Sequence, residues 1–306
     1  MNYRHAFHAG NFADVLKHAV LVLVIEYLKR KAAAFRVVDT HAGCGRYELD
    51  SGAAEKTGEW RGGIGRLIGP RAEPLSAGVA GLLRPYLDVV RAENAKAADG
   101  VVVYPGSPMI ARRLLRDQDT LVVNELHPED YAQLKGLFAR DGATKVLGLD
   151  GWLALKSLLP PRERRGVVLI DPPFEERDDL ARLAKGLEEG LKRFATGVYL
   201  AWYPIKDPKP IARFHAELTQ ALPHDLLRVE LMIQGPSSIE RLNGCGLVVA
   251  NPPYGLEEQL AEILPELCRC LAGGRGAGYR LDRSRKATAE AEKIPLGRGP
   301  GARRKH

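Results

Sequence analysis

The 306-residue chain has no apolar run near the roughly 20 residues that a bilayer crossing requires. Its longest N-terminal candidate, Ala19 to Ile25, is short, lies in a helical pattern with His18 and Glu26, and has no small-residue cleavage site, so no signal peptide is expected. Cysteine is scarce: Cys44, Cys245, Cys268 and Cys270 form neither metal-ligand pairs nor a disulfide framework. A reduced, cytoplasmic protein is the expectation. His5, His8 and His18 hint at a metal, but His-x2-His on an irregular arm lacks a supporting carboxylate or cysteine, and zinc is not expected. Charge excess is also missing from most of the chain. The net charge is +7, yet ten Lys or Arg against Asp282, Glu290 and Glu292 between 273 and 306 carry all of it, and the other 272 residues hold 35 charges of each sign.

What remains is a neutral globular body, 45% hydrophobic and 27% charged, followed by a basic, Gly-rich, aromatic-poor tail. The tail is expected to be disordered, serving either to hold RNA phosphates or simply to solubilise. No exposed apolar stripe stands out, so a monomer is expected. The body alternates strand and helix. Thr120 to Val123 ends at Asn124-Glu125 and is followed by a helix over Pro128 to Arg140; Thr144 to Leu149 ends at Asp150-Gly151, ahead of a helix over Trp152 to Leu158. Gly166 to Ile170 ends at Asp171 before a helix over Asp178 to Phe194, and a strand over Thr196 to Tyr203 precedes a helix over Ile211 to Ala221. Such alternation folds into a parallel sheet with ligand sites at the strand carboxyl ends.

Upstream, an irregular arm (1–10) leads to a helix capped by Asn11 that reaches about Lys31, with Val15, Leu16, Ala19, Leu23, Tyr27 and Leu28 on one face. A strand over Phe35 to Val38 runs into Asp39-Thr40-His41-Ala42-Gly43-Cys44-Gly45, where Gly-x-Gly lets a ligand approach the backbone. Helices over Ala53 to Arg66 and Leu75 to Glu93 then intervene before a strand over Val101 to Val103 and a helix over Pro108 to Arg116 capped by Ser107, so about residues 50–100 read as a helical insertion. Near the end, Leu226 to Ile233 and Gly246 to Ala250 form a hairpin. An antiparallel last strand on a parallel sheet marks the S-adenosylmethionine-dependent methyltransferases rather than the dinucleotide dehydrogenases. The expected fold is therefore α/β, a Rossmann-like doubly wound class I methyltransferase with a helical insertion, its domain spanning 1–272 and its tail 273–306.

Asp39, Glu125, Asp150 and Asp171 stand at successive strand ends and should converge on one crevice. One carboxylate spans a cis-diol, so Glu125 suits the ribose of an adenosine; Asp150 suits its amino group, with Gly151 baring the backbone. The stretch Asp171-Pro172-Pro173-Phe174 is a stiff lip, because the prolines end the ladder. There a carboxylate and carbonyls can accept hydrogen bonds from an exocyclic base amine while Phe174 stacks on the ring. Asn251-Pro252-Pro253-Tyr254 has the same look, but it follows an antiparallel strand and so should lie at the opposite edge as a structural turn.

Tyr-Arg-His-x-Phe-His-Ala-Gly-Asn at 3–11, Asp-Val-Leu-Lys-His at 14–18, Asp-Thr-His-Ala-Gly at 39–43, Tyr-Pro-Gly-Ser-Pro at 104–108, Glu-Leu-His-Pro at 125–128 and Asp-Pro-Pro-Phe at 171–174 together carry a resemblance. From residue 1 to about 272 the chain resembles the bacterial 23S ribosomal RNA adenine-N6 methyltransferases. The resemblance implies that His18, His41, Gly43, Ser107, Glu125, Asp150 and Gly151 meet S-adenosylmethionine, that Asp171 is the catalytic acceptor within Asp171 to Phe174, and that Tyr3 and Arg4 meet 23S RNA. Phe174 stands where the family usually has tyrosine, and Cys44 where it has a small residue. Two other readings stay open: a methyltransferase acting on DNA adenine or protein glutamine, which shares cofactor site and lip, and a non-catalytic RNA-binding protein.

Overall fold

In the computed structural model, the described residues are 5–50, 52–97, 100–176, 178–235 and 241–284. Eight strands form the main sheet in the order β10-β8-β9-β7-β6-β1-β4-β5. These are β1 (Arg36–Asp39), β4 (Thr120–Asn124), β5 (Thr144–Leu147), β6 (Gly166–Ile170), β7 (Val198–Ile205), β8 (Leu226–Met232), β9 (Gly244–Ala250) and β10 (Gly278–Ser284). Two short strands, β2 (Arg46–Glu48) and β3 (Val103–Pro105), pair separately. From β5 to β7 every pairing is parallel, whereas β9 runs antiparallel to both β7 and β8. The expected α/β topology with its antiparallel strand is present. β6 is buried at all five positions, as a central parallel strand must be.

The helices are α1 (Phe12–Lys29), α2 (Gly52–Thr57), α3 (Ala77–Glu93), α4 (Ser107–Leu114), α5 (Pro128–Leu137), α6 (Gly151–Leu158), α7 (Asp179–Arg193), α8 (Pro208–Ala221) and α9 (Leu256–Leu271). Asn11 caps α1 as expected, its side chain accepting from Ala13 and Asp14 backbone N–H groups. The expected single apolar face of α1 is exceeded: residues 12 to 25 are all buried, because α3, α4, α9 and the sheet surround the helix. Between β1 and α4 lie α2, α3 and two 3-10 turns, Glu59–Gly62 and Ile64–Arg66. The helix expected over Ala53 to Arg66 is broken there: Gly58 takes a left-handed φ of 61°, and the backbone O of Gly10 sits where a side chain on Gly63 would be.

Two elements escape the sequence reading. α9 buries Leu256, Leu260, Ile263, Leu264 and Leu267 against the α1 side of the sheet. β10 corrects the boundary of the tail: residues 278–284 pair with β8 along seven positions, where a disordered tail from 273 was expected. Leu281 packs on the core and Arg283 bridges Asp225 and Glu257 at 3.0 and 3.2 Å. The remainder of that tail, 285–306, lies outside the described residues.

Candidate functional site

Four adjacent parallel strands, β6, β1, β4 and β5, end in a cleft of about 220 Å³. Its lining includes His18, His41, Gly43, Ser107, Glu125, Asp150, Gly151, Asp171, Pro172 and Pro173, so the sequence-derived cofactor set and most of the lip come together. Phe174 turns away into a second cleft of about 860 Å³, where it meets Trp202 edge-to-face at 5.8 Å. His5, Lys17, Asp171, Pro173 and Glu175 line both clefts, and Asp171 therefore stands where they meet. Tyr3 and Arg4 lie outside the described residues.

The glycine loop after β1 is shaped by contacts. Gly43 has a φ of 60°, and a side chain there would strike the Tyr47 hydroxyl. Glu125 accepts the Gly43 N–H at 2.8 Å and the His127 N–H at 2.7 Å, which clamps the ends of β1 and β4 together. Burial raises its carboxyl pKa, opposed by those two bonds. Asp150 uses Oδ1 to cap α6, accepting from Trp152 and Leu153 at 3.0 Å, so it is a helix cap and a cleft residue at once. At Gly151 a Cβ would overlap the His41 ring.

Asp39 departs from the expectation that four acids share the crevice. It does not line either cleft and is buried beneath, where it accepts the Ser107 hydroxyl at 2.6 Å. Burial raises its carboxyl to about 6, partly offset by the Ser107 bond. His18 lines the first cleft with Nδ1 against the Tyr104 hydroxyl at 2.7 Å, while its buried Nε2 has no partner. Burial pushes this imidazole down to about 3, which keeps it neutral. An unsatisfied buried nitrogen costs free energy, so a ligand that bonds it is favoured.

Sequence reasoning missed Lys17 as a site residue. Its Nζ reaches Asp171 Oδ2 at 2.5 Å and Asp14 Oδ1 at 2.8 Å. Asp14 Oδ2 in turn meets His5 Nε2 at 3.0 Å and the Gly10 N–H at 2.8 Å. Burial works against both charges, but the neighbours win: His5 and Lys17 hold the Asp14 carboxyl well below its usual range, and the two carboxylates hold Lys17 above the usual lysine range. The available signal was two opposite charges at i and i+3 inside an apolar helix. His8, the other arm histidine, bonds Glu59 at 3.0 Å.

Asn251 sits with a φ of 53° and donates its side-chain amide to the Ala195 and Gly197 carbonyls, both at 2.8 Å. Tyr254 is 84% exposed and lines neither cleft. The second proline motif is a structural turn.

Strand order, antiparallel β9 and a ligand cleft at the parallel-strand ends define a class I methyltransferase fold. The chain belongs to the family described as "Ribosomal RNA large subunit methyltransferase D, RlmJ", whose model matches residues 32–282. It is 44% identical over 267 residues to the Escherichia coli (strain K12) protein named "Ribosomal RNA large subunit methyltransferase J", covering 87% of this chain and 92% of that one. The Haemophilus influenzae protein of the same name is 43% identical over 271 residues, covering 89% and 94%. A Legionella pneumophila protein of known crystal structure superimposes with a TM-score of 0.78 at 30% identity, covering 90% of this chain and 98% of that one.

Proposed function

We propose that the protein transfers a methyl group from S-adenosylmethionine to the N6 amine of one adenine in large-subunit ribosomal RNA, in the cytoplasm. The observation that carries this reading is Asp171, fixed between a cleft with the cofactor residues and a wider one floored by Phe174 and Trp202. The membership of the family and the names of its relatives supply the substrate class.

The residues of the smaller cleft fit the cofactor. Glu125 would hold the ribose hydroxyls, Asp150 the adenine amine through the oxygen not engaged in capping, and His18 Nε2 would gain the partner it lacks. Side chains at positions 43 and 151 would collide with Tyr47 and His41, so glycine keeps the loop and α6 close. Once bound, the cofactor supplies an electrophilic methyl group.

The target adenine leaves its stack at a cost of a few kcal/mol. Stacking on Phe174 offsets about 1–3 kcal/mol of that. Asp171 and the carbonyls of the Pro172-Pro173 segment accept the N6 hydrogens, which favours the amine geometry and the positive charge that develops on nitrogen. Lys17 holds one Asp171 oxygen at 2.5 Å and so orients the other toward the amine. The proton leaves for Asp171 as or after the N–C bond forms. Positioning supplies most of the rate.

Radiolabelled S-adenosylmethionine and protein-free 23S RNA from cells lacking the enzyme test this. Label should appear as N6-methyladenine with the wild type and not with Asp171→Ala. Transfer to DNA or protein but not to RNA would overturn the substrate, and full turnover by Asp171→Ala would overturn the catalytic assignment.

A further inference from the structure

The wider cleft is polarised. Its carboxylates, Asp14, Glu59, Asp171 and the exposed Glu175, gather near the arm and the lip: Asp171 and Asp14 hold Lys17, and Glu59 accepts from His8 and from the Asn11 amide at 3.0 Å. Away from that end the lining carries Lys206 and Arg241, both exposed, and among the described residues neither makes an ion pair. Arg66, from the insertion, also lines the cleft but is drawn to Glu73 at 3.6 Å.

Lys206 and Arg241 come from different segments, and one buried residue joins them. Asn243 is fully buried two positions after Arg241. Its side-chain amide donates to the Lys206 carbonyl at 2.9 Å, its backbone N–H to the Ile205 carbonyl at 3.1 Å, and its own carbonyl accepts the Ile233 N–H at 3.0 Å. Its Oδ1 accepts the Gln234 amide at 3.0 Å. A polar side chain is buried only where its bonds are made, and here those bonds tie the end of β7 to the base of the β8–β9 hairpin. Two unpaired cations are thereby held at one corner of the cleft. Ile170 pairs with Ala201, so Lys206 lies five residues further along. At about 3.3 Å per residue that places the corner on the order of 15 Å past the level of the lip.

We infer that Lys206 and Arg241 form a phosphate-binding corner, with Asn243 as its positioning residue, that grips the RNA backbone beside the flipped adenosine. The inference rests on the RNA-methylating reading and adds to it an orientation: amine toward Asp171, phosphates toward the corner. A nucleotide is built with the same polarity, donors on the base edge and negative charge on the backbone. The cleft, at about 860 Å³, has room for more than a single base. A cation against a phosphate fixes register without reading sequence.

The test uses the full chain, protein-free 23S RNA and S-adenosylmethionine, with Lys206→Gln, Arg241→Gln and, as a charge control, Arg213→Gln on α8. Arg213 pairs with Glu217 and lines neither cleft. Each corner substitution is expected to raise the KM for RNA several-fold with little change in kcat. Each should also flatten the slope of log affinity against log salt by about 0.7–0.9, the contribution of one released counterion. The control should leave both unchanged. Corner variants with wild-type KM and salt slope, in an enzyme that does methylate RNA, would overturn the inference alone. An Arg213→Gln effect equal to theirs would overturn it too, by assigning the change to net charge. A wild type that binds cofactor but methylates no RNA would remove the functional reading beneath it.

Discussion

Lys17 ties the helix that carries it to the lip. Its charge is shared between Asp14 and Asp171, all three largely buried, and removing one partner of such a group leaves uncompensated buried charge. Lys17→Met should cost about 3–5 kcal/mol in urea unfolding and depress methyl transfer with it. An unchanged midpoint would show that the pair is not holding the site together. His18 gives a pH signature. Folded, it takes a proton only near pH 3, whereas unfolded it does so near 6.5. Above 6.5 it contributes nothing to the pH dependence; as pH falls below 6.5 the unfolded chain gains the proton first, and stability drops by about 1.4 kcal/mol per pH unit. Asp39 acts in the opposite sense, since its raised folded pKa of about 6 makes the native state the better proton binder below that pH. Subtracting the His18→Gln profile isolates the histidine: roughly 2 kcal/mol should separate pH 7 from pH 5. Glu125, Asp150 and Asp171 were legible because a polar residue ending an apolar strand repeats along the chain. Lys17 was not, since its partner Asp171 lies 154 positions away and only the fold brings them together.

Elements showed the same division. Strands flanked by helices read cleanly because short continuous apolar runs alternate with 3.6-period stretches between turn residues. α9 carried a readable stripe from Leu256 to Leu267, but Pro265 inside it and the preceding Asn-Pro-Pro-Tyr turn disguised it. β10 had no such stripe: an edge strand keeps charges such as Arg280 and Asp282, which resemble disorder by composition. The contribution of β10 can be read by comparing a chain ending at 284 with a shorter one. One ending at 277 loses the seven-position ladder with β8 and both Arg283 bridges, and should melt roughly 5 °C lower, at 2–4 °C per kcal/mol for a domain of this size. Equal melting of the two truncations would make β10 dispensable.

At the scale of the whole molecule, the large hydrophobics exposed among the described residues are Leu126, Leu153, Tyr254 and Tyr279, one each after β4, in α6, after β9 and in β10. They belong to four separate elements, and a monomer is the expectation. Sedimentation should give one 33.6 kDa particle, and a dimer at micromolar concentration would contradict this. The two clefts share His5, Lys17, Asp171, Pro173 and Glu175 in their linings, so that Asp171 faces both. A methyl group passed directly where they meet needs no side chain to carry it between them. Steady-state double-reciprocal plots should intersect rather than run parallel, and the demethylated cofactor should compete with S-adenosylmethionine but not with RNA, the pattern of direct transfer between two clefts that open onto one carboxylate.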